Sequence, residues 1–354
     1  MSGIVFAIPG DIDAPTGGYG YDRRLLREWR EAGIEARHLA LPGSFPFPTK
    51  ADLAATEQLL AATGAGDLLL VDGLACGAFP GALAARFADR LVALVHHPLA
   101  LETGHSPEMA ETLRRSETLT LRHARAIVVT SPATKRMLEA EFDVSAGKIA
   151  IAIPGTDPAP RAKGSGRSDT LHMLAVGSLI PRKGYGVLIE ALRAIADRSW
   201  TLTITGSSDH APGTAAELCD GIARAGLAER IVLTGGVGTE KLAQLYDEAD
   251  LFVMSSLYEG YGMVLTEALA RGLPIVTTLS GAGAEALPDA AALKVAPGDA
   301  AALAKALARL IDAPAERRQR ADAAWAAAGE LPRWSETARI VAEMCRRDDG
   351  RKVG

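Results

Sequence analysis

Short, near-continuous aliphatic runs alternate with stretches of helical periodicity from one end of the chain to the other. That alternation predicts parallel α/β architecture, in which strands covered on both faces carry little polar spacing. In the first half the runs predict strands at Ile4–Ile8, Ile34–Leu39, Leu68–Val71, Leu91–Val95, Ala126–Val129 and Ile149–Ile153. Residues 156–168 (TDPAPRAKGSGRS) then hold two prolines, three basic groups and no large apolar side chain, the texture of a linker. Beyond it the pattern restarts, with strands predicted at Leu171–Val176, Thr201–Thr205, Ile231–Leu233, Leu251–Met254, Ile275–Thr277 and Leu293–Val295. Helix signals sit between the runs. Ser131-Pro132 reads as an N-cap with Pro at the first helical position, and Asp299 caps a helix with Leu303, Leu307 and Leu310 on one face.

The division is therefore 1–155, a linker 156–168, 169–330, and a closing helix and tail over 331–354, with two doubly wound domains as the expected architecture. Ligands in such sheets meet the carboxyl ends of the strands, so the residues that follow each strand carry the functional question.

After the first strand comes Gly17-Gly18-Tyr19-Gly20-Tyr21, with a helix expected from near Asp22. Glycines there let backbone N–H groups approach a phosphate, although a plain turn would read the same way. The spacing is not a strict G-x-G-x-x-G, and no acidic partner follows about twenty residues on, so a dinucleotide fingerprint is absent. The fourth strand ends in His96-His97-Pro98, where a histidine can donate to a sugar hydroxyl or simply cap a turn; His96 is the favoured one. Arg182-Lys183-Gly184 follows the first strand of the second half, and two adjacent cations in a Gly-containing loop suit a diphosphate, although an ordinary solvated turn would carry such a pair too. Gly206 and the Gly236-Val237 pair follow later strands, as small residues against which a base or sugar can lie. The sharpest motif is Glu259-Gly260-Tyr261-Gly262-Met263-Val264-Leu265-Thr266-Glu267. It puts one glutamate in a glycine loop and a second about two turns into a helix starting near Gly262, closed by Gly272 and Pro274.

Charge and composition narrow the picture. The net charge of −5 comes from 38 basic against 43 acidic residues, and neither half has the cationic excess that marks nucleic-acid or anionic-membrane binding. Arg23, Arg24, Arg27 and Arg30 lie on one predicted helix but are interleaved with Glu28 and Glu31, as on an ordinary solvated face. Cys76, Cys219 and Cys345 have no metal-ligand spacing, which favours a reduced, cytoplasmic setting. Residues 68–85 contain Asp72, Pro80 and several glycines and make a poor membrane helix, and the first residues read as a strand instead of a signal peptide.

The Glu259-x7-Glu267 spacing within EGYGMVLTEALARGLPIV, and residues 174–190 (LAVGSLIPRKGYGVLIE), resemble the retaining GT-B glycosyltransferases of family 4. Trp334-Ser-Glu-Thr is similar to that family's C-terminal helix, which crosses back to the first domain. The resemblance implies two facing Rossmann-like domains, an N-terminal one binding the acceptor and a C-terminal one binding a nucleotide sugar. It implies that Arg182 and Lys183 neutralise the donor diphosphate, Glu267 binds the ribose hydroxyls and Glu259 touches the donor sugar. The backbone of Gly260, Tyr261, Gly262, Met263 and Val264 would follow the sugar and phosphate. Gly236-Val237 would lie near the base, Gly17-Gly18 would close on the phosphate from the other domain, and His96 would line the reaction centre. Neither a metal nor a cofactor beyond the donor is expected, and the anomeric configuration would be retained. Two departures stand out: the Gly-Gly-Tyr-Gly-Tyr loop lacks the basic residue of many relatives, and the histidine is doubled. The acceptor stays open among small molecules, saccharides and lipid-linked species. An epimerase or phosphorylase of the same fold, or a non-catalytic nucleotide-sugar sensor, would share most of these residues.

Overall fold

The computed structural model describes residues 3–102, 105–167, 169–208 and 211–347. Ser168, the last residue of the expected linker, and the tail from 348 lie outside them. The chain forms two compact units, residues 3–155 with 332–347, and residues 156–331.

In the first unit β1 (Ile4–Pro9), β2 (Ala36–Leu41), β3 (Leu68–Asp72), β4 (Leu91–Val95), β5 (Ala126–Val129) and β6 (Ile149–Ile151) form one parallel sheet ordered β2-β1-β3-β4-β5-β6. In the second, β7 (Leu171–Val176), β8 (Trp200–Thr205), β9 (Ile231–Leu233), β10 (Leu251–Met254), β11 (Ile275–Thr278) and β12 (Ala292–Val295) run β12-β11-β10-β7-β8-β9. Each order reverses direction beside its unit's first strand, which opens a ligand crevice at the strand carboxyl ends. Val71, Ala93 and Ile127 in one sheet, and Leu202, Ile204 and Val253 in the other, are all but inaccessible. Each larger aliphatic chain so buried contributes about 1.5–3 kcal/mol.

The strands β8 and β12 start a residue earlier than the pattern predicts, and one strand and one helix depart from it further. The helix expected from near Asp22 begins at Gly17, because Thr16 caps it by accepting from the Tyr19 N–H at 3.3 Å. That helix, Gly17–Glu31, closes through Gly33 at φ +66°, with Ile34 N–H on Trp29 C=O and Gly33 N–H on Arg30 C=O. Ile34 is spent on this cap, so β2 starts at Ala36. As an edge strand β2 is largely exposed, unlike the covered central strands.

The helix Trp334–Arg346 belongs to the first unit. Fully buried Trp29 donates its indole N–H to Ala338 C=O at 2.8 Å, Thr337 donates to Ile153 C=O at 2.7 Å, and Trp334 meets the Tyr21 ring edge-on. A Cβ on Gly155 would lie 2.2 Å from the Trp334 nitrogen, so only glycine allows this approach. Residues 156–167 contain no helix or strand but lie along the second unit: Lys163 and Gly164 N–H groups bond Asp247 C=O, and Ser165 bonds the Asp250 carboxylate. No helix among the described residues is long and apolar enough to cross a membrane.

Candidate functional site

The second unit gathers its expected site residues at the carboxyl ends of β7, β8 and β10. After β7 the chain makes one 3-10 turn, Pro181–Lys183, closed by Gly184 at φ +63°. A Cβ on Gly184 would fall 2.3 Å from Ser255 C=O, so the loop packs directly on the segment after β10. That packing brings the two cations to Glu259. Lys183 Nζ lies 2.5 Å from Oε1 and Arg182 Nη1 lies 3.2 Å from Oε2, while Arg182 also donates to Tyr258 C=O at 2.8 Å and Ser256 donates to Oε1 at 2.6 Å. Burial alone would push the Glu259 carboxyl up. The charges of Lys183 and Arg182, with the hydrogen bonds from Lys183 and Ser256, outweigh it and hold the group below its ordinary value. The Arg182 and Lys183 side chains are only 20% and 13% accessible, because an internal carboxylate holds them.

Glycines build the floor of this crevice. A Cβ on Gly206 would sit 1.9 Å from Gly177 C=O, and Gly206 N–H bonds Gly235 C=O at 3.0 Å, so the loops after β7, β8 and β9 touch through backbone. Gly236 lies over Ser207, and Val237 packs on the core. In the Glu259 motif the Tyr261 carbonyl accepts from Gly283 N–H and its side chain is buried. Gly262, at φ +89°, starts the helix Met263–Ala270 without a side-chain cap. The first N–H groups of that helix, at Met263 and Val264, thus have no side-chain partner and suit an anion.

Glu267 is the fifth residue of this helix, little more than one turn in instead of about two, and is partly buried. Tyr246 donates to its Oε2 at 2.9 Å from below, with the Arg271 guanidinium over the Tyr246 ring. Burial raises the Glu267 carboxyl, and the Tyr246 bond only partly offsets this. Oε1 accepts no hydrogen bond among the described residues and remains for a ligand.

In the first unit Gly17 and Gly18 form the first turn of their helix, and a Cβ on Gly18 would lie 3.5 Å from His96 Cδ2. His96 follows β4, with its ring edge-on to Tyr21 at 5.1 Å. Its Nε2 lies 3.2 Å from Asp22 Oδ1 and 3.7 Å from Asp72 Oδ2. Burial pushes both carboxyls up, Asp72 to about 7 with Asp22's charge adding to the effect, while the His96 bond lowers Asp22. Burial would lower His96, but the Asp22 bond and the charges of Asp22 and Asp72 raise it. The three ligand atoms lie within 4.8 Å of one another, close enough to share a proton or a small cation. His97 is outside this group. The loop after it is pinned by buried Glu117, whose two oxygens accept from Leu99 and Ala100 N–H at 2.8 and 2.9 Å; burial pushes Glu117 to about 7. The helix arginines are engaged locally: Arg23 donates to Ile12 and Ala14 carbonyls, Arg24 pairs with Glu28, and Arg27 pairs with Glu31.

Sequence reasoning missed Asp22, Asp72, Glu117 and Tyr246. Asp72 closes β3, so the strand-end rule could have found it. Nothing local marks Tyr246.

Comparison with known proteins agrees with this fold. Residues 10–155 match the family model described as "Glycosyl transferase 4-like domain", and residues 170–313 match "Glycosyl transferases group 1". The MMP alpha-(1->4)-mannosyltransferase of Mycolicibacterium hassiacum is 27% identical over 308 residues, covering 83% of this chain and 74% of that protein. A D-inositol 3-phosphate glycosyltransferase of Paenarthrobacter aurescens is 30% identical over 204 residues, 54% of this chain and 49% of its own length. Among solved structures, sucrose-phosphate synthase from Thermosynechococcus elongatus superposes with a TM-score of 0.81 at 22% identity, covering 97% of this chain and 98% of that one. Anabaena HepE, solved in complex with UDP and glucose, gives 0.77 at 19% identity over 98% of this chain and all (100%) of that one. The chain is a glycosyltransferase with the two-domain GT-B fold, and it belongs to family 4, the glycosyl transferases group 1.

Proposed function

We propose that the enzyme transfers a sugar from a nucleoside diphosphate sugar to a hydroxyl acceptor, with retention of configuration and without a metal. The observation that carries this reading is the Arg182–Lys183 pair, prepositioned by Glu259 beside a glycine-lined crevice. The likeness in fold to HepE, solved with UDP and with UDP-glucose, supports a nucleotide-sugar donor.

Transfer breaks the bond between the anomeric carbon and the diphosphate and forms one to the acceptor oxygen, whose proton leaves to the departing phosphate. Negative charge grows on the leaving oxygens. Fixed cations and uncapped helix N–H groups directed at that charge cost no reorganisation during the step, which makes them the largest catalytic contribution. Glu267 Oε1 accepts from the ribose hydroxyls, and His96 lies at the reacting sugar.

Calorimetry tests the donor assignment. UDP, GDP and ADP are titrated into the wild type, and the tightest one into Glu267→Ala. The variant should lose about 1.5–3 kcal/mol of binding, the worth of hydrogen bonds to a charged carboxylate. Equal affinity in a folded variant removes Glu267 from the site.

A further inference from the structure

The first unit holds three ionisable groups whose arrangement goes beyond a histidine at a strand end. Asp22 projects from the second turn of the helix Gly17–Glu31, and Asp72 closes β3. Both carboxylates are essentially inaccessible, at 0% and 3% side-chain exposure, and both converge on one ring nitrogen, His96 Nε2. Among the described residues no lysine or arginine pairs with either of them as Lys183 and Arg182 do with Glu259. Asp22 Oδ2 is buried with no hydrogen-bond partner, and Asp72 Oδ1 is occupied by Leu74 N–H at 2.9 Å. Two buried carboxylates facing one imidazole nitrogen are tolerated when a proton lies between them and that nitrogen, whether Nε2 or a carboxyl oxygen holds it. The other ring nitrogen, Nδ1, has no hydrogen bond among the described residues. The Tyr21 ring packs edge-on against the imidazole, and Gly18 brings no side chain to its Cδ2 edge.

We infer that Asp22 and Asp72 are positioning residues for His96: they hold Nε2 protonated and fix the ring so that Nδ1 is the atom presented to the reacting sugar. The inference deepens the transferase reading and rests on it for what Nδ1 meets. It needs no further group. The proton on Nε2 is held between the ring and Asp22, and Nδ1 accepts a substrate hydroxyl when the ring is neutral, or donates to a sugar or phosphate oxygen when it is charged. The raised proton affinity of His96 agrees with this geometry. Besides Asp22 and Asp72, the charged and titratable neighbours are Tyr19 and Tyr21 on the helix that carries Asp22 and the buried Cys76 thiol four residues after Asp72, with Arg23 and His38 acting on Asp22 from further away. Asp22 was easy to overlook because it stands beside an arginine run. Asp72 lies fifty residues on along the chain and joins it only through the β1–β3 pairing.

The test is ¹⁵N-histidine NMR of the free full-length enzyme, with His96 assigned from His96→Gln and each variant checked for folding by its melting curve. The wild type should carry its neutral-form proton on Nε2. Asp22→Asn and Asp72→Asn each keep side-chain shape and remove one charge. Each should lower the His96 titration midpoint by about 1 pH unit or more, the effect of losing an opposite charge at this distance. Once donor and acceptor are known, kcat in Asp22→Asn should fall on the order of 10²-fold, with the donor KM little changed. A proton on Nδ1, a midpoint unmoved in both variants, or a stoichiometric metal ion occupying Nε2 in the purified protein would each overturn the inference. The spectroscopy does not depend on transfer: if the midpoints move but His96→Gln transfers at the wild-type rate, the carboxylate–histidine arrangement stands and the role of His96 in transfer is what fails.

Discussion

Each unit buries carboxylates at the carboxyl ends of its sheet, and Glu259 in one and Asp72 in the other are treated in opposite ways. Glu259 is as deeply covered as Asp72, yet its carboxyl is held below the ordinary range while Asp72 is pushed to about 7. Partners account for the difference. Lys183 and Arg182 surround Glu259 with two permanent charges, whereas Asp72 shares a single histidine with a second carboxylate, Asp22. Burial penalises any charge, and it is the number and kind of opposite charges that decide which form survives. The second unit thus stores a fixed ion cluster suited to anionic phosphates. The first stores a proton-sharing group, whose charge depends on pH.

The comparison breaks most visibly on removing charge from each. Glu259→Gln leaves two cations nearly enclosed without a carboxylate, and breaking a buried pair in this way costs about 3–5 kcal/mol. Asp72→Asn removes a charge that burial already opposes, so denaturant unfolding should show little loss or a small gain. Equal losses in the two variants would show that partner charge does not set the contrast.

A smaller effect follows from proton linkage. Asp72 and Glu117 bind protons more tightly folded than unfolded, so their contribution to stability is full below their ordinary values of 3.8 and 4.5 and is lost as pH rises to about 7. The raised His96 has the same sign at higher pH, its contribution declining as pH climbs past its folded value. Glu259 has the opposite sign: its contribution is present above 4.5 and is lost as pH falls through its lowered value. Hydrogen exchange converted to opening free energies should therefore show β3 and β4 losing protection between about pH 4.5 and 7, and less so in Asp72→Asn. Over the same range the segment around Glu259 keeps its pairing. A pH-independent β3 would remove the proton-sharing description of the first unit.

The strands were legible because aliphatic continuity is a local property: every run from Ile4 to Val295 that predicted a strand corresponds to one, and the caps at Ser131 and Asp299 form as expected. Gly17 and Gly18 read as a loop because glycine is a poor helix former, yet a Thr16 cap and tertiary packing carry them into the helix. Ile34 looked like strand and became a helix stop. At the site, Arg182, Lys183, Glu259 and Glu267 were each visible beside a glycine loop. Their mutual pairing was not, since it joins positions 76 and 77 residues apart through strand order. Asp22, Asp72 and Tyr246 were hidden for the same reason: each acts on a residue that only the sheet topology brings near.

The most direct test of the donor assignment replaces Arg182 and Lys183 together by Ala and measures transfer rate and melting temperature on the same preparation. On the proposed function these cations face charge that grows as the glycosidic bond breaks. Losing one such group lowers turnover by about 10²–10³-fold, and two that share one diphosphate need not multiply. At least that loss is expected in a double variant that still melts cooperatively. Near wild-type turnover in the folded double variant would contradict it.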